Sequence, residues 1–156
     1  FRSTLLLSPP GGGKTTLLRD LVRQLSCGDG IPPQRITLVD ERGEVAVMLE
    51  GQPQMEVGCH TDVMNSCPKS VAIPMLLRSA NPQIIAVDEI TQARDLAAME
   101  EAAYCGVRFL ATLHADSADD LHRRPLLQKL QKMHLFEKAI TIHMADTLRR
   151  YTIRDL

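Results

Sequence analysis

Aromatic side chains are scarce in this 156-residue sequence, at 3% with no tryptophan. The core must therefore be aliphatic, and few rings are available for nucleic-acid bases to stack on. Neither sign of charge is in excess: 18 Lys and Arg stand against 19 Asp and Glu, a net charge of -1. Bulk charge thus draws the chain to neither a polyanion nor an anionic membrane, and only a local patch would. No apolar run approaches the roughly 20 residues of a membrane span. Direct membrane insertion is not expected, and membrane association would run through partners. Cys27, Cys59, Cys67 and Cys105 include no C-x-x-C pair. With no signal peptide legible, free thiols in a reducing cytoplasm are the expectation. Cys59-His60 with Cys67 matches no zinc spacing and lacks a fourth ligand.

What is present is a 44% hydrophobic chain of one-domain length. That length buries roughly two-thirds of the surface the unfolded chain exposes. Short apolar runs alternate with amphipathic ones. RSTLLLS reads as a buried strand ended by Pro and Gly. Leu17, Leu18, Leu21, Val22 and Leu25 follow at helical spacing. RITLVDE, IIAVDEI and VRFLATLHA read as further strands. MLLRSANP ends a helix at Pro82, ARDLAAMEEAAYCG is a helix ended by Gly106, and Pro125 to Phe136 is helical. Residues 43 to 70 show only weak periodicity. KAITIHMADTLRRYTIRDL alternates around a polar turn, a hairpin signature. The fold class expected is α/β: a mostly parallel sheet flanked by helices, closed by a C-terminal β-hairpin. One domain is expected over 1–156. Because the first strand starts so near the N-terminus, the sequence reads as a domain cut from a longer chain.

The stretch SPPGGGKTT, Ser8 to Thr16, carries the sharpest chemistry. Strand, glycine-rich turn and helix are the context of a phosphate-binding loop, Gly-x-x-x-x-Gly-Lys-Ser/Thr. The backbone N–H groups of Gly11, Gly12 and Gly13 can wrap phosphates, and the helix start adds its positive dipole end. Lys14 would bridge the outer phosphates. The Thr15 hydroxyl would bind Mg2+, with Thr16 beside it. Ser8 stands where the pattern has its first Gly. A small residue fits there if its dihedrals are ordinary. IIAVDEI delivers Asp88 and Glu89 to a strand end, where a nucleotide-binding sheet meets its ligand. Asp88 suits Mg2+ through an intervening water, and Glu89 suits the attacking water. LVDERGE places Asp40, Glu41, Arg42 and Glu44 after another strand, and ATLHADS places Thr112 and His114 at the end of a third. Each is unremarkable alone. Together they put polar residues of several strands on one edge.

The span from LLRSANP through TLHADS resembles the ATPases of the type II and type IV secretion and pilus-motor superfamily. Arg78, Asp88-Glu89, Arg94-Asp95, Gly106 and Thr112-His114 fall in that superfamily's order, and LVDERGE sits at its Asp box. Within it, PPGGGKTTLLRDL, LVDERGEVA, TDV-x-x-x-CPK and DLHRRP resemble the sporulation stage III AA proteins. TDV-x-x-x-CPK is the most specific, because nucleotide binding does not demand it. Thr91-Gln92 departs from a more usual Gly-Arg-like pair.

The resemblance implies a RecA-like P-loop NTPase core that binds and hydrolyses ATP with Mg2+. It implies a homo-hexamer in the full-length protein, completed by an N-terminal domain not seen in this sequence. Membrane-embedded sporulation channel proteins would be its partners, at a channel between mother cell and forespore, and the mother-cell cytoplasm its location. His114 would sense the γ-phosphate. Arg78 would steady phosphate charge within the subunit or across an interface. Glu41 and Glu89 both remain candidates to position water or metal. A nucleic-acid-associated RecA-like ATPase is the alternative, resting on Arg123-Arg124 with Lys129 and Lys132; charge and scarce aromatics weigh against it. A small nucleotide kinase would need an Arg-rich lid that the sequence does not display.

Overall fold

A computed structural model describes residues 1–122, 125–145 and 148–156. Nine strands and four helices order the described residues: β1 Thr4–Ser8, α1 Lys14–Cys27, β2 Ile36–Asp40, β3 Met48–Leu49, β4 Gln52–Pro53, β5 Thr61–Asn65, α2 Lys69–Ser79, β6 Ile84–Val87, α3 Ala93–Tyr104, β7 Arg108–His114, α4 Pro125–Lys132, β8 Lys138–Ala145 and β9 Leu148–Asp155. A 3-10 turn, Ala118–His122, precedes α4.

Seven strands form one sheet in the order β5-β2-β6-β7-β1-β8-β9. All neighbours pair in parallel except β8 and β9, the antiparallel hairpin expected from the C-terminal alternation. The turn residues Asp146 and Thr147 lie outside the described residues, as do Arg123 and Arg124.

Alternation along each strand feeds two cores. Leu5 and Leu7 face one cluster, with Ile73 of α2, Met99 of α3 and Leu127 of α4. Leu6 faces the other, with Leu18, Val22 and Leu25 of α1. Both faces of the sheet are thus covered, which explains the unbroken apolar runs of β1 and β6. Phe109 is fully buried, and the other largest fully buried side chains are Leu, Ile and Met.

The weakly periodic stretch 43–70 holds what the sequence did not show. Gln52–Pro53 and Met48–Leu49 pair as a small separate ribbon. β5 then runs along the sheet edge, partly exposed along its length. An edge strand needs no continuous apolar run, so TDVMN carries little strand signal. α2 begins at Lys69 and runs through Pro74 to Ser79, so MLLRSANP is only its end. Gln92, of the pair that departs from the superfamily, caps α3 in a reciprocal box with Asp95.

Strand order decides the site. β7 lies between β1 and β6, and register sets Ser8 beside His114 and Val87 beside Ala111. The glycine loop, the acidic strand end and the Thr-x-His segment therefore meet on one edge.

Candidate functional site

The glycine loop leaves β1 at Ser8, which is fully buried. Ser8 keeps an ordinary backbone, and φ is positive only at Gly11 and Gly13 within the loop. The Ser8 hydroxyl donates to the Pro9 carbonyl at 2.7 Å. A Cβ at Gly12 would lie 1.9 Å from Ser8 Oγ, so the serine turns Gly12 into an obligatory glycine. Where the pattern has its first glycine, this loop carries a hydroxyl that packs under Gly12, the fourth position of PPGGG.

Gly13, at φ 94°, caps α1 with no side-chain cap. The first N–H groups of α1 are left for an outside acceptor, and they carry the helix's positive end. Lys14 is nearly buried. Its ammonium donates to the carbonyls of Ser8 at 2.9 Å and Pro9 at 3.0 Å, and to His114 Nδ1 at 2.9 Å. Burial pulls the Lys14 pKa down, and Glu89 and Asp88 oppose that pull.

An ammonium has only hydrogens to give, so His114 Nδ1 accepts. The hydrogen then sits on Nε2, which faces Glu89 Oε1 at 3.1 Å. The other Glu89 oxygen is gripped by Arg42. Lys14, His114, Glu89 and Arg42 form one chain of contacts from the start of α1, through the ends of β7 and β6, to the loop after β2.

Thr112 organises the acidic end. Its hydroxyl donates to Asp88 Oδ1 at 2.8 Å and accepts from the Glu89 N–H at 2.7 Å. Glu89 holds φ 50°, an unfavourable region for a residue with a Cβ. The Thr112 hydroxyl, and the Ile90 N–H bonded to the Thr112 carbonyl at 3.1 Å, hold that turn in place. Asp88 is nearly buried, and its Oδ2 has no hydrogen-bond partner. Burial pushes its pKa up against the Thr112 hydrogen bond. A buried carboxylate oxygen without a partner is costly, and a cation would relieve it. With the half-buried Thr15 hydroxyl on the same cavity, the donors present are all-oxygen and fit Mg2+.

The loop after β2 divides its residues among separate tasks. Asp40, fully buried, accepts from the N–H groups of Glu44, Val45 and Ala46 and so folds the loop. Arg19 of α1 ties that loop down through the carbonyls of Val45 and Glu44. The result carries Arg42 to Glu89. Glu41 goes elsewhere: it takes Lys69 Nζ at 2.6 Å, at the start of α2. That hydrogen bond holds the Glu41 carboxyl below its ordinary range. Lys69 is the lysine of CPK and nearly buried, so that motif ties α2 to the loop after β2.

A cavity of about 380 Å3 gathers these groups. Gly11, Gly13, Lys14, Thr15 and Thr16 line one wall, and Asp88, Glu89, Thr112 and His114 another. Pro10, Arg42, Glu44 and Arg149 complete it. Gly12 sits buried beneath, on Ser8. Of the candidate nucleotide-binding, metal and catalytic residues read from sequence, Gly12, Glu41 and Arg78 do not line this cavity. Arg78 is exposed on the last turn of α2, just before β6 begins, hence at the opposite edge of the sheet. Arg42, Glu44 and Arg149 are the charged cavity residues given no role from sequence. Arg42 appeared there only within a charge cluster, and Arg149 carried no signal beyond a hairpin strand.

Solved structures place this architecture in a class. The chain matches the VirB11 ATPase of the Brucella suis type IV secretion system with a TM-score of 0.70. Identity is 17%, over 99% of this chain and 48% of that one. It matches the pilus retraction motor PilT, solved with ADP, with a TM-score of 0.69 and 16% identity over 99% of this chain and 47% of that one. The fold is that of the secretion and pilus-motor ATPases, a RecA-like P-loop core. Sequence narrows this further. The profile of the sporulation stage III protein AA family matches residues 1–152, and the chain belongs to that family. It is 40% identical over 144 residues to the stage III sporulation protein AA of Bacillus subtilis strain 168, covering 92% of this chain and 47% of that protein. The chain spans about half the length of that relative and of both solved neighbours.

Proposed function

We propose that this chain is the Mg-ATP-binding and hydrolysing motor domain of a secretion-type ATPase, serving a mother-cell-to-forespore channel complex in endospore formation. The observation that carries the reading is the convergence of Lys14, Thr15, Asp88, Glu89 and His114 on one cavity beneath a glycine loop. The family membership and the fold support it. The proposed assembly is a homo-hexamer in the full-length protein, working with membrane-embedded channel proteins from the mother-cell side. Among the described residues, no helix is long and apolar enough to cross a membrane.

In this reading the N–H groups of Gly11 to Thr16 cradle the phosphates. Lys14 trades the carbonyls of Ser8 and Pro9 for phosphate oxygens. Thr15 and Asp88 would hold Mg2+, which would neutralise phosphate charge when bound. Glu89 takes a proton from the attacking water. It is favoured over Glu41, whose carboxylate is committed to Lys69. His114 touches both Lys14 and Glu89, so a change at the outer phosphate reaches the base through one side chain. Release of Glu89 from Arg42 gives the two-state element that such coupling requires. Arg78, at the far edge, serves a neighbouring subunit rather than its own site.

Calorimetric titration of Mg-ATP and Mg-ADP into the chain and its Lys14→Ala variant tests the site. Binding by the intact chain and none by the variant is expected. Equal affinity for both would sink the assignment.

A further inference from the structure

The C-terminal hairpin does more than close the sheet. Pairing of β9 with β8 sets Arg149 opposite Met144, one strand beyond the neighbour of β1. From there the side chain reaches the glycine loop. A Cβ placed on Gly13 would lie 2.9 Å from Arg149 Nε and 3.0 Å from its Cζ. The guanidinium thus rests directly on the Gly13 backbone and lines the same cavity as Lys14, Asp88 and Glu89.

Folding does not account for this placement. Among the described residues no carboxylate pairs with Arg149, although Arg154 and Lys138 of the same hairpin each have an acidic partner. Lys14 and Arg42 share the cavity with Arg149, against Glu44, Asp88 and Glu89. Gly13 begins α1 without a side-chain cap, and Lys14 is the next residue. A cation at the amino end of a helix is unfavourable, and no direct ion pair among the described residues offsets it here. A polyanion between Arg149 and the helix start would reverse the sign of the interaction. The fork of a guanidinium suits phosphate oxygens in particular.

We propose that Arg149 is a phosphate-binding residue, supplied by the chain's own C-terminal hairpin to the polyphosphate of a bound nucleotide. It reaches the loop from the β8–β9 side, whereas Asp88, Glu89 and His114 reach it from the β6–β7 side. The nucleotide is thereby held from both flanks of β1 within one subunit. The inference rests on the nucleotide-site reading above. It also gives Gly13 a second reason to lack a side chain.

The test is calorimetric titration of Mg-ATP and Mg-ADP into the intact chain, Arg149→Gln, Arg149→Lys and Arg150→Gln, with Lys14→Ala alongside. Thermal unfolding of each without nucleotide completes it. Arg149→Gln is expected to weaken nucleotide binding about tenfold or more, the loss of one charge-assisted phosphate contact. Arg149→Lys should recover part of it. Arg150→Gln, its side chain on the opposite face of β9, should bind as the intact chain does. Without nucleotide, Arg149→Gln should melt at the same temperature as the intact chain or above it, because a cation with no ion-pair partner has been removed from a helix start. Undiminished affinity in Arg149→Gln, with binding lost in Lys14→Ala, would overturn the role of Arg149 and leave the site standing. Weakened binding with a lowered melting temperature would overturn it too, by marking a structural role. No binding by the intact chain would defeat the site reading and Arg149 with it.

Discussion

Gly12 and Ser8 constrain each other. A methyl group at Gly12 collides with the Ser8 side chain at 1.9 Å, yet Gly12 itself does not hold a positive φ. The obstacle to alanine is therefore steric and comes mainly from one neighbour. Gly12→Ala is expected to destabilise the chain by roughly 1–3 kcal/mol through overpacking. Ser8→Gly in the same chain should recover much of that. A double-mutant cycle by urea unfolding measures the coupling, and strictly additive losses would mean the contact is not what excludes alanine. Asp88 illustrates the other kind of residue-level cost. Its buried, unpartnered oxygen is a liability to folding, which the proposed metal role would offset. Thr112 was legible as a polar residue at a strand end. Its double hydrogen bond, which turns Glu89 toward the cavity, depends on β7 lying beside β6 and could not be read from spacing.

At the scale of elements, the loop after β2 and the start of α2 act as one unit. Lys69 is nearly buried and held by Glu41, whose side chain is 34% exposed. Glu41→Gln would leave the ammonium with no opposite charge. A cost of about 2–3 kcal/mol is expected, below the fully buried range because water reaches Glu41. The pH dependence has a definite sign. Glu41 is more acidic folded than unfolded, so its contribution is complete above the ordinary carboxylate range and disappears as pH falls through the lowered folded value. Stability followed from neutral to acid pH should fall less steeply in Glu41→Gln than in the intact chain over that window. Identical slopes would remove Glu41 from the account. α2 was visible in sequence only at its end. Its first turns lack a strong amphipathic pattern and contain Pro74, so burial against α3 and the sheet, not propensity, sets its start. β5 was missed for a related reason, since an edge strand half open to water has no reason to be apolar throughout.

At the scale of the whole molecule, near-zero net charge and scarce aromatics argue against nucleic acid as the partner. Lys129 and Lys132 lie exposed on α4, while Arg123 and Arg124 lie outside the described residues. Titration of single-stranded DNA between about 50 and 200 mM salt should show no tight, steeply salt-dependent complex. Such a complex would promote the nucleic-acid reading over the secretion-type one. The sequence by itself determined the α/β class, the glycine loop, the acidic strand end, the Thr-x-His segment and the hairpin. Those features are local, written in periodicity and in motifs a few residues long. Only the tertiary structure decided that β7 stands between β1 and β6, that Glu41 turns to Lys69 while Arg42 turns to Glu89, and that Arg149 returns to rest on Gly13. Those pairings join residues far apart in the chain. Strand order and register set them, and neither is encoded in the spacing of any single segment.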